Sequence, residues 1–303
     1  MSKQSLTSSG GELVESARAK LNLGLRVLSQ RQDGFHDLIG LFQTVSLADR
    51  LYMRPARRLE VTCSDPAVPP GPGNLAYRAA ELYLREAGTT PRHVHIEKAI
   101  PAAAGLGGGS ADAAAVLRGL DRAASRPLGL GALTRMAGQL GSDVPFALQG
   151  GTALVEGRGE RLLPLRWSTE PVWYVLVCPR VRVDTAWAYS ELDRQRRDHP
   201  NGLSEPDPYR TFLEHVRGGL VDANRLWSVL HNDFQPLVER AKPIVARASQ
   251  SLAATDPLAH SMSGSGATVF GIYDDRTAAN RAARGLREAG FPVFLCTPCP
   301  PSQ

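Results

Sequence analysis

From Lys20 to Val27 apolar and polar residues alternate. Leu21, Leu23, Leu25 and Val27 fall on one face, and Lys20, Asn22, Gly24 and Arg26 on the other. A period of two predicts a half-buried β-strand. A turn at Asp33-Gly34 follows, and residues 41–53 (LFQTVSLADRLYM) and 58–64 (RLEVTCS) read as further strands. A Pro/Gly loop then leads to Asn74, which is placed to cap a helix that Gly88 closes. Residues 93–101 (HVHIEKAIP) alternate again. A glycine-rich loop opens an alanine-rich helix, a second helix covers Leu133–Leu140, and residues 142–165 read as a loop and a hairpin.

The second half has a different rhythm. Val172–Pro179 is a continuous apolar strand, and residues 184–194 (DTAWAYSELDR) form a helix capped by Asp184 or Thr185. Residues 207–255 read as mostly helical, broken at Pro236 and Pro243. A strand (266–274), a helix (276–290) and a final strand (292–298) complete the chain. The first half mixes strands and helices without a regular βαβ series, and the second alternates them as in a ferredoxin-like layer. Together they predict an α+β protein of two domains, 1–165 and 166–303, joined near Leu165–Pro171.

Composition narrows the class. The chain has 303 residues, 43% of them hydrophobic, enough for two cores. No run reaches the roughly 18 apolar residues of a membrane span. The polar start (MSKQSLTSSGGELVES) lacks an apolar signal core and reads as a frayed tail, so a cytoplasmic protein is expected. Net charge is 35 − 30 = +5, with arginines spread along the chain, which permits nucleic-acid binding without demanding it. Of the 35 basic residues only Lys3, Lys20, Lys98 and Lys242 are lysines, leaving 35 − 4 = 31 arginines. A compact ammonium is not interchangeable with a guanidinium, so Lys20 and Lys98, both beside unusual motifs, stand out. Cys63 and Cys178 are expected to be buried thiols. Cys296 and Cys299 (CTPC) offer half a zinc site or a redox pair, with no second pair to complete it.

The stretch PAAAGLGGGSADAAAVL, Pro101 to Leu117, carries the strongest chemistry. Gly105, Gly107, Gly108 and Gly109 precede a helix and Ser110 sits at its mouth. A helix N-terminus offers free N–H groups and partial positive charge, and glycine lets phosphate oxygens approach the backbone. The loop is not Walker A, having no lysine after its glycines, and it lacks the dinucleotide-binding spacing. Ser110 is able to cap the helix, bind a phosphate oxygen or ligate Mg²⁺. Asp143, in GSDVPF, is either a turn aspartate or a carboxylate that takes a proton from an alcohol, with Lys20 as its partner. Phe35, His36 and Phe42 are either ordinary packing or a seat for a planar base. Residues 261–270 (SMSGSGATVF) are a second glycine-rich stretch, either closing over phosphates or making a tight strand entry.

These stretches together resemble the GHMP kinases. The resemblance rests on AKLNL, PAAAGLGGGSADAA and SMSGSGATVF, in that order, and spans nearly the whole chain. Within the family, AKLNLGLRVLSQRQDGFHDLIGLFQTVSLADRL and LGSDVPF resemble the branch that phosphorylates a cytidylyl-methylerythritol. The resemblance implies a two-domain GHMP kinase fold with the active site in the cleft between domains, and transfer of the ATP γ-phosphoryl group to an alcohol. It implies Asp143 as base with Lys20 as partner, and Asn22, Phe35, His36, Phe42 and Thr185 on the substrate. On ATP it places Asn74, Lys98, Pro101, Gly105, Leu106, Gly107, Gly108, Gly109, Ser110, Gly264, Ser265 and Gly266, with Mg²⁺ held by the phosphates and Ser110. It implies a monomer or weak homodimer with no nucleic-acid or membrane partner. Two departures stand out: Phe35 replaces a tyrosine, and Ala102–Ala104 replace a more glycine-rich run. The rivals are a mevalonate or homoserine kinase and a non-catalytic RNA-binding protein.

Overall fold

The computed structural model describes residues 11–167, 171–198, 216, 220–221, 226–227 and 230–302. The tail before residue 11, most of residues 207–229 at the start of the expected helical stretch, and part of the joint between halves lie outside the described residues.

Two long antiparallel strands form the spine: β1 (Leu13–Gln30) and β2 (His36–Pro55). The Asp33-Gly34 turn joins them, with Gly34 at φ +83°. β2 also pairs with β4 (Arg92–Glu97) along its second half and with β5 (Thr152–Gly157) along its first. β3 (Glu60–Cys63) lies parallel to β4. β6 (Arg161–Trp167) extends the other edge and β8 (Leu220–Val221) lies parallel to it. Four helices lie beside this sheet: α1 (Leu75–Ala87), α2 (Gly108–Ala123), α3 (Leu130–Leu140) and α4 (Val144–Gln149). Ala111, Ala113, Ala114 and Ala115 of α2 are buried against Ala17 of β1, Met53 of β2 and the α1 alanines. Small side chains allow that close approach.

The second sheet holds β7 (Trp173–Val177), β9 (Ala259–Met262), β10 (Val269–Tyr273) and β11 (Val293–Cys296). Its spatial order is β11-β7-β10-β9, every pair antiparallel. That fourth-first-third-second order is the ferredoxin-like arrangement. α5 (Thr185–Asp198), α6 (Gln235–Ala241), α7 (Pro243–Ala253) and α8 (Arg276–Glu288) connect these strands. The architecture is α+β, as the sequence predicts. None of the described helices is long and apolar enough to cross a membrane.

Several local expectations change. β1 is not half-buried: every residue from Ala19 to Leu25 is buried, Lys20 and Asn22 included. Leu21 and Leu23 pack with Tyr174, Leu176 and Phe270 of the second sheet. The polar face is covered too, by the glycine loops described below. The helical stretch is divided at Pro236 and Pro243 as expected: each lies in the first turn of a new helix, where a missing N–H costs nothing, and the interruption before Pro243 is Lys242. Residues 144–149 form a short helix, not a loop: Val144 and Leu148, one turn apart, pack into the core around α2, while Phe146 points the other way onto Phe42. Cys63 is half-buried at the end of β3, while Cys178 is buried as expected.

After β11 the chain returns to the first sheet. Ser46 N–H donates to the Thr297 carbonyl at 2.9 Å, and Cys299 N–H to the Thr44 carbonyl at 2.8 Å. The CTPC stretch is therefore a strap between sheets, its thiols unbonded, and no acidic, histidine and cysteine cluster fit for a metal occurs among the described residues.

Tyr174 tests the core. Its side chain is fully buried and its hydroxyl has no partner among the described residues. Replacing such a group removes an unmet polar burial. Tyr174→Phe is expected to leave stability unchanged or raise it by up to about 1 kcal/mol, read from the urea midpoint at constant m value. A loss of that size would show that the hydroxyl is bonded.

Candidate active site

A cleft of about 870 Å³ opens where the two sheets meet. Its floor is the polar face of β1. Lys20 N–H donates to the Leu106 carbonyl at 3.0 Å, which ties β1 to the glycine loop. The Lys20 stem lies beneath Gly107: a Cβ there would stand 3.0 Å from Lys20 Cγ. The ammonium then donates to Asn22 Oδ1 at 2.6 Å, stands 3.3 Å from Asp143 Oδ2 and sits 4.8 Å over the Phe42 ring. Asp143 occupies the N-cap position of α4, with no side-chain cap bond. Its carboxylate is a third exposed, against a tenth for the lysine side chain. A carboxylate left half in the cleft, with a buried ammonium behind it, is ready to accept a proton from an alcohol.

One side of the cleft is built from two glycine loops that touch. α2 starts at Gly108, so Gly108, Gly109 and Ser110 form its first turn and do not precede it. The N-cap is Gly107, φ +67°, and it offers no side chain to the open N–H groups. Gly105, φ +77°, lies against the second loop: a Cβ would fall 2.3 Å from the Ser263 carbonyl oxygen. Ser263 hydroxyl donates to the Gly105 carbonyl at 2.9 Å, and Thr268 N–H to the Ala104 carbonyl at 3.2 Å. Gly264, Ser265 and Gly266 thereby face Ala103, Gly105, Gly107 and Ser110 across the cleft wall. Ala103 takes φ +53° despite its Cβ. The Ser110 side chain makes no hydrogen bond among the described residues.

The opposite wall comes from α5. Asp184 caps it by accepting from Trp187 N–H at 2.8 Å, which leaves the Thr185 hydroxyl free to meet Ser265 Oγ at 2.9 Å. One and two turns on, Tyr189 stacks on His36 with ring centres 5.0 Å apart, and Asp193 Oδ1 stands 2.8 Å from His36 Nε2. Burial, then the Asp143 charge, push the Tyr189 phenol up to about 12. Phe35 is 52% exposed, with the Arg158 guanidinium 4.6 Å over its ring. Arg158 and Arg182 both line the cleft and have no carboxylate partner among the described residues.

Lys20, Asn22, Phe35, His36, Phe42, Asp143, Thr185, Gly105, Gly107, Ser110, Gly264, Ser265 and Gly266 therefore share one cleft. Asn74, Lys98, Pro101, Leu106, Gly108 and Gly109 do not line it. Leu106 is buried and Asn74 is the α1 cap, accepting from Ala76 N–H at 2.9 Å. Lys98 turns inward. Its ammonium bonds Asp49 at 2.5 Å and Asp112 at 2.9 Å, both buried, so its charge is neutralised under the loop. Burial pushes the Asp112 carboxyl up to about 7 even though the Lys98 charge pulls it down. Phe42 is buried on Phe146 instead of flanking His36. Sequence reasoning missed Tyr189, Asp193, Arg158 and Arg182. The first two were within reach, since Thr185, Tyr189 and Asp193 recur every four residues on one helix face. The arginines carry no such signal.

The pattern of the GHMP kinases N terminal domain matches residues 74–151, and that of the GHMP kinases C terminal matches residues 216–291. A 4-diphosphocytidyl-2-C-methyl-D-erythritol kinase of Synechococcus sp. (strain JA-2-3B'a(2-13)) is 42% identical over 277 residues, covering 89% of this chain and 88% of its own. The protein of that name from Moorella thermoacetica is 40% identical over 286 residues, covering 94% and 98%. Among solved structures, a 4-(cytidine 5'-diphospho)-2C-methyl-D-erythritol kinase superimposes with a TM-score of 0.75 at 35% identity, over 94% of this chain and 99% of that one. A homoserine kinase from Cytophaga hutchinsonii gives a TM-score of 0.72 at 17% identity, over 99% and 98%, a likeness of fold alone.

The contact between glycine loops is testable. Gly105→Ala forces a Cβ onto a backbone carbonyl at a positive φ. It is expected to cost about 1–3 kcal/mol in urea unfolding and to weaken binding of a non-hydrolysable ATP analogue, measured by calorimetry. Unchanged nucleotide affinity would mean that the loops do not set the site.

Proposed function

Because the chain belongs to the GHMP kinase family, we propose that it phosphorylates 4-diphosphocytidyl-2-C-methyl-D-erythritol from ATP, at the 2-hydroxyl, in the methylerythritol phosphate route to isoprenoids. The observation that carries this reading is the single cleft holding both halves of the reaction. A carboxylate backed by an ammonium, Asp143 and Lys20, stands beside an open helix N-terminus. The same cleft continues to an aromatic and histidine seat, Phe35, His36 and Tyr189. Relatives about 40% identical over nine-tenths of the chain carry that activity in their names.

In this reading residues 1–165 bind the nucleotide, residues 166–303 supply α5 and the second glycine loop, and the cleft lies between them. The triphosphate rests on the α2 first turn, where backbone N–H groups take its oxygens without reorganising. Lys20, 3.3 Å away, holds the Asp143 carboxylate aligned. Asp143 accepts the hydroxyl proton as the oxygen attacks the γ-phosphorus and the bond from that phosphorus to the β,γ-bridging oxygen breaks, releasing ADP, with Lys20 countering the charge that develops. The cytosine lies against Phe35, with His36 at its edge and Asn22 and Thr185 on the methylerythritol. Arg158 and Arg182 face the diphosphate. Positioning and charge neutralisation supply most of such a rate enhancement. Mg²⁺ fits the donor set as an ion carried by the phosphates: Ser110 presents a free hydroxyl in the cleft, and no acidic cage occurs among the described residues. When bound it neutralises charge on the transferring group. Lys98 acts on ATP only indirectly, by supporting the loop from below.

Asp143→Asn is expected to fold normally and lose at least about 100-fold in turnover, measured by coupled ADP release. Near-normal turnover would show that another group takes the proton.

His36→Ala is expected to raise the KM for the cytidylyl substrate with little change for ATP, and free CMP and CDP should inhibit competitively. Turnover of mevalonate or homoserine in side-by-side assays, with no inhibition by CDP, would replace this substrate with one of theirs.

A further inference from the structure

Outside the cleft, one short segment touches three of its walls. His231, Asn232 and Asp233 run beside β1: Leu25 N–H donates to the His231 carbonyl at 2.7 Å, and Asp233 N–H to the Leu25 carbonyl at 3.1 Å. Neither Asn232 nor Asp233 lines the cleft, yet both are buried or nearly so.

Their side chains go opposite ways. Asn232 Nδ2 donates to the Met262 carbonyl at 2.5 Å and the Gly264 carbonyl at 2.9 Å, while its Oδ1 accepts from Phe234 N–H at 2.9 Å. Every polar position of the amide is used, and two of its bonds end on the loop that leans on Gly105. Asp233 turns to α5. Its Oδ2 accepts from Val27 N–H at 2.7 Å and faces Arg196 Nη2 at 3.2 Å. Its Oδ1 accepts from Arg26 at 2.7 Å and stands 2.6 Å from His231 Nε2. Arg196 also donates to the Val27 and Leu28 carbonyls. Burial alone would raise the Asp233 carboxyl, but its bonds from His231 and Arg26 hold it below the usual range. Arg196 lies one turn beyond Asp193 and two beyond Tyr189, so anchoring it fixes the helix face that meets His36.

We propose that Asn232 and Asp233 are positioning residues that hold the two sides of the cleft separately: Asn232 sets the 264–266 loop on the nucleotide side, and Asp233, through Arg196, sets α5 on the alcohol-substrate side. The names of the two sides rest on the kinase reading above.

The test is a split of KM values in the full-length enzyme. Asn232→Ala is expected to raise the ATP KM about tenfold, the scale of a lost buried hydrogen bond, with the alcohol KM within about twofold. Asp233→Asn is expected to do the reverse and to raise the CDP inhibition constant equally. Arg196→Ala should reproduce Asp233→Asn, and the double variant should be no worse than either, as for residues acting through one contact. Circular dichroism checks folding; if a buried variant fails to fold, Arg196→Ala keeps the substrate side testable and Asn232→Ser the nucleotide side. Both KM values rising together, neither rising, or additive effects of Arg196 and Asp233 would overturn the proposal. Should the enzyme prove to act on another alcohol, the same split is measured with that alcohol, so failure of the substrate reading and failure of this one are distinguishable.

Discussion

The ammonium of Lys20 is the point on which the cleft depends. It is nearly dry, and a buried cation is tolerated only where partners replace its water. Asn22, Asp143 and the face of Phe42 do so from three elements. The same residue supports the glycine loop, through its backbone bond to Leu106 and its stem under Gly107. One side chain thus sets the distance between the carboxylate and the helix entrance. The methylene stem passes under Gly107 and the single ammonium meets Asn22, Asp143 and Phe42, a point charge that a planar guanidinium does not reproduce.

Close backbone approach is the second constraint. Gly105 and Gly107 both take positive φ, and each also meets another part of the protein where a Cβ would stand. The contact of Gly105 with the Ser263 carbonyl joins loops from the two halves of the chain and closes that side of the cleft. Beneath it, Lys98, Asp49 and Asp112 form an inward ion cluster, with Asp49 also accepting from Ala99 and Ile100 N–H. That cluster fixes where the loop begins. The positive character of the site therefore comes from backbone amides, Lys20, Arg158 and Arg182, and not from Lys98.

The substrate wall follows from how α5 is capped and anchored. Asp184 takes the cap, so Thr185 is free to meet Ser265. Tyr189 reaches His36 and Asp193 holds its ring. Phe35 carries a guanidinium over its ring, from Arg158 on the β5–β6 turn. The strap after β11 and the 231–233 segment tie this second layer back to β1 and β2, so the two walls are braced together.

The sequence alone determined the period-two spine, the glycine loop at a helix entrance, the second glycine stretch, the alternation of the second half, and the residue types at Lys20, Asp143 and His36. These are local signals: strand period, cap chemistry and glycine placement depend on neighbours in the chain. It misjudged what packing decides. Lys98 reads like Lys20 in the sequence, both flanked by alternating apolar residues, but Asp49 and Asp112 draw one inward while Asp143 meets the other in the cleft. The polar face of β1 reads as solvent-facing and is buried. Tyr189, Arg158 and the 231–233 segment acquire their places only when elements far apart in sequence pack. Which charge is paired, and by what, is set by long-range proximity, and that is a property of the tertiary structure, not of the local pattern.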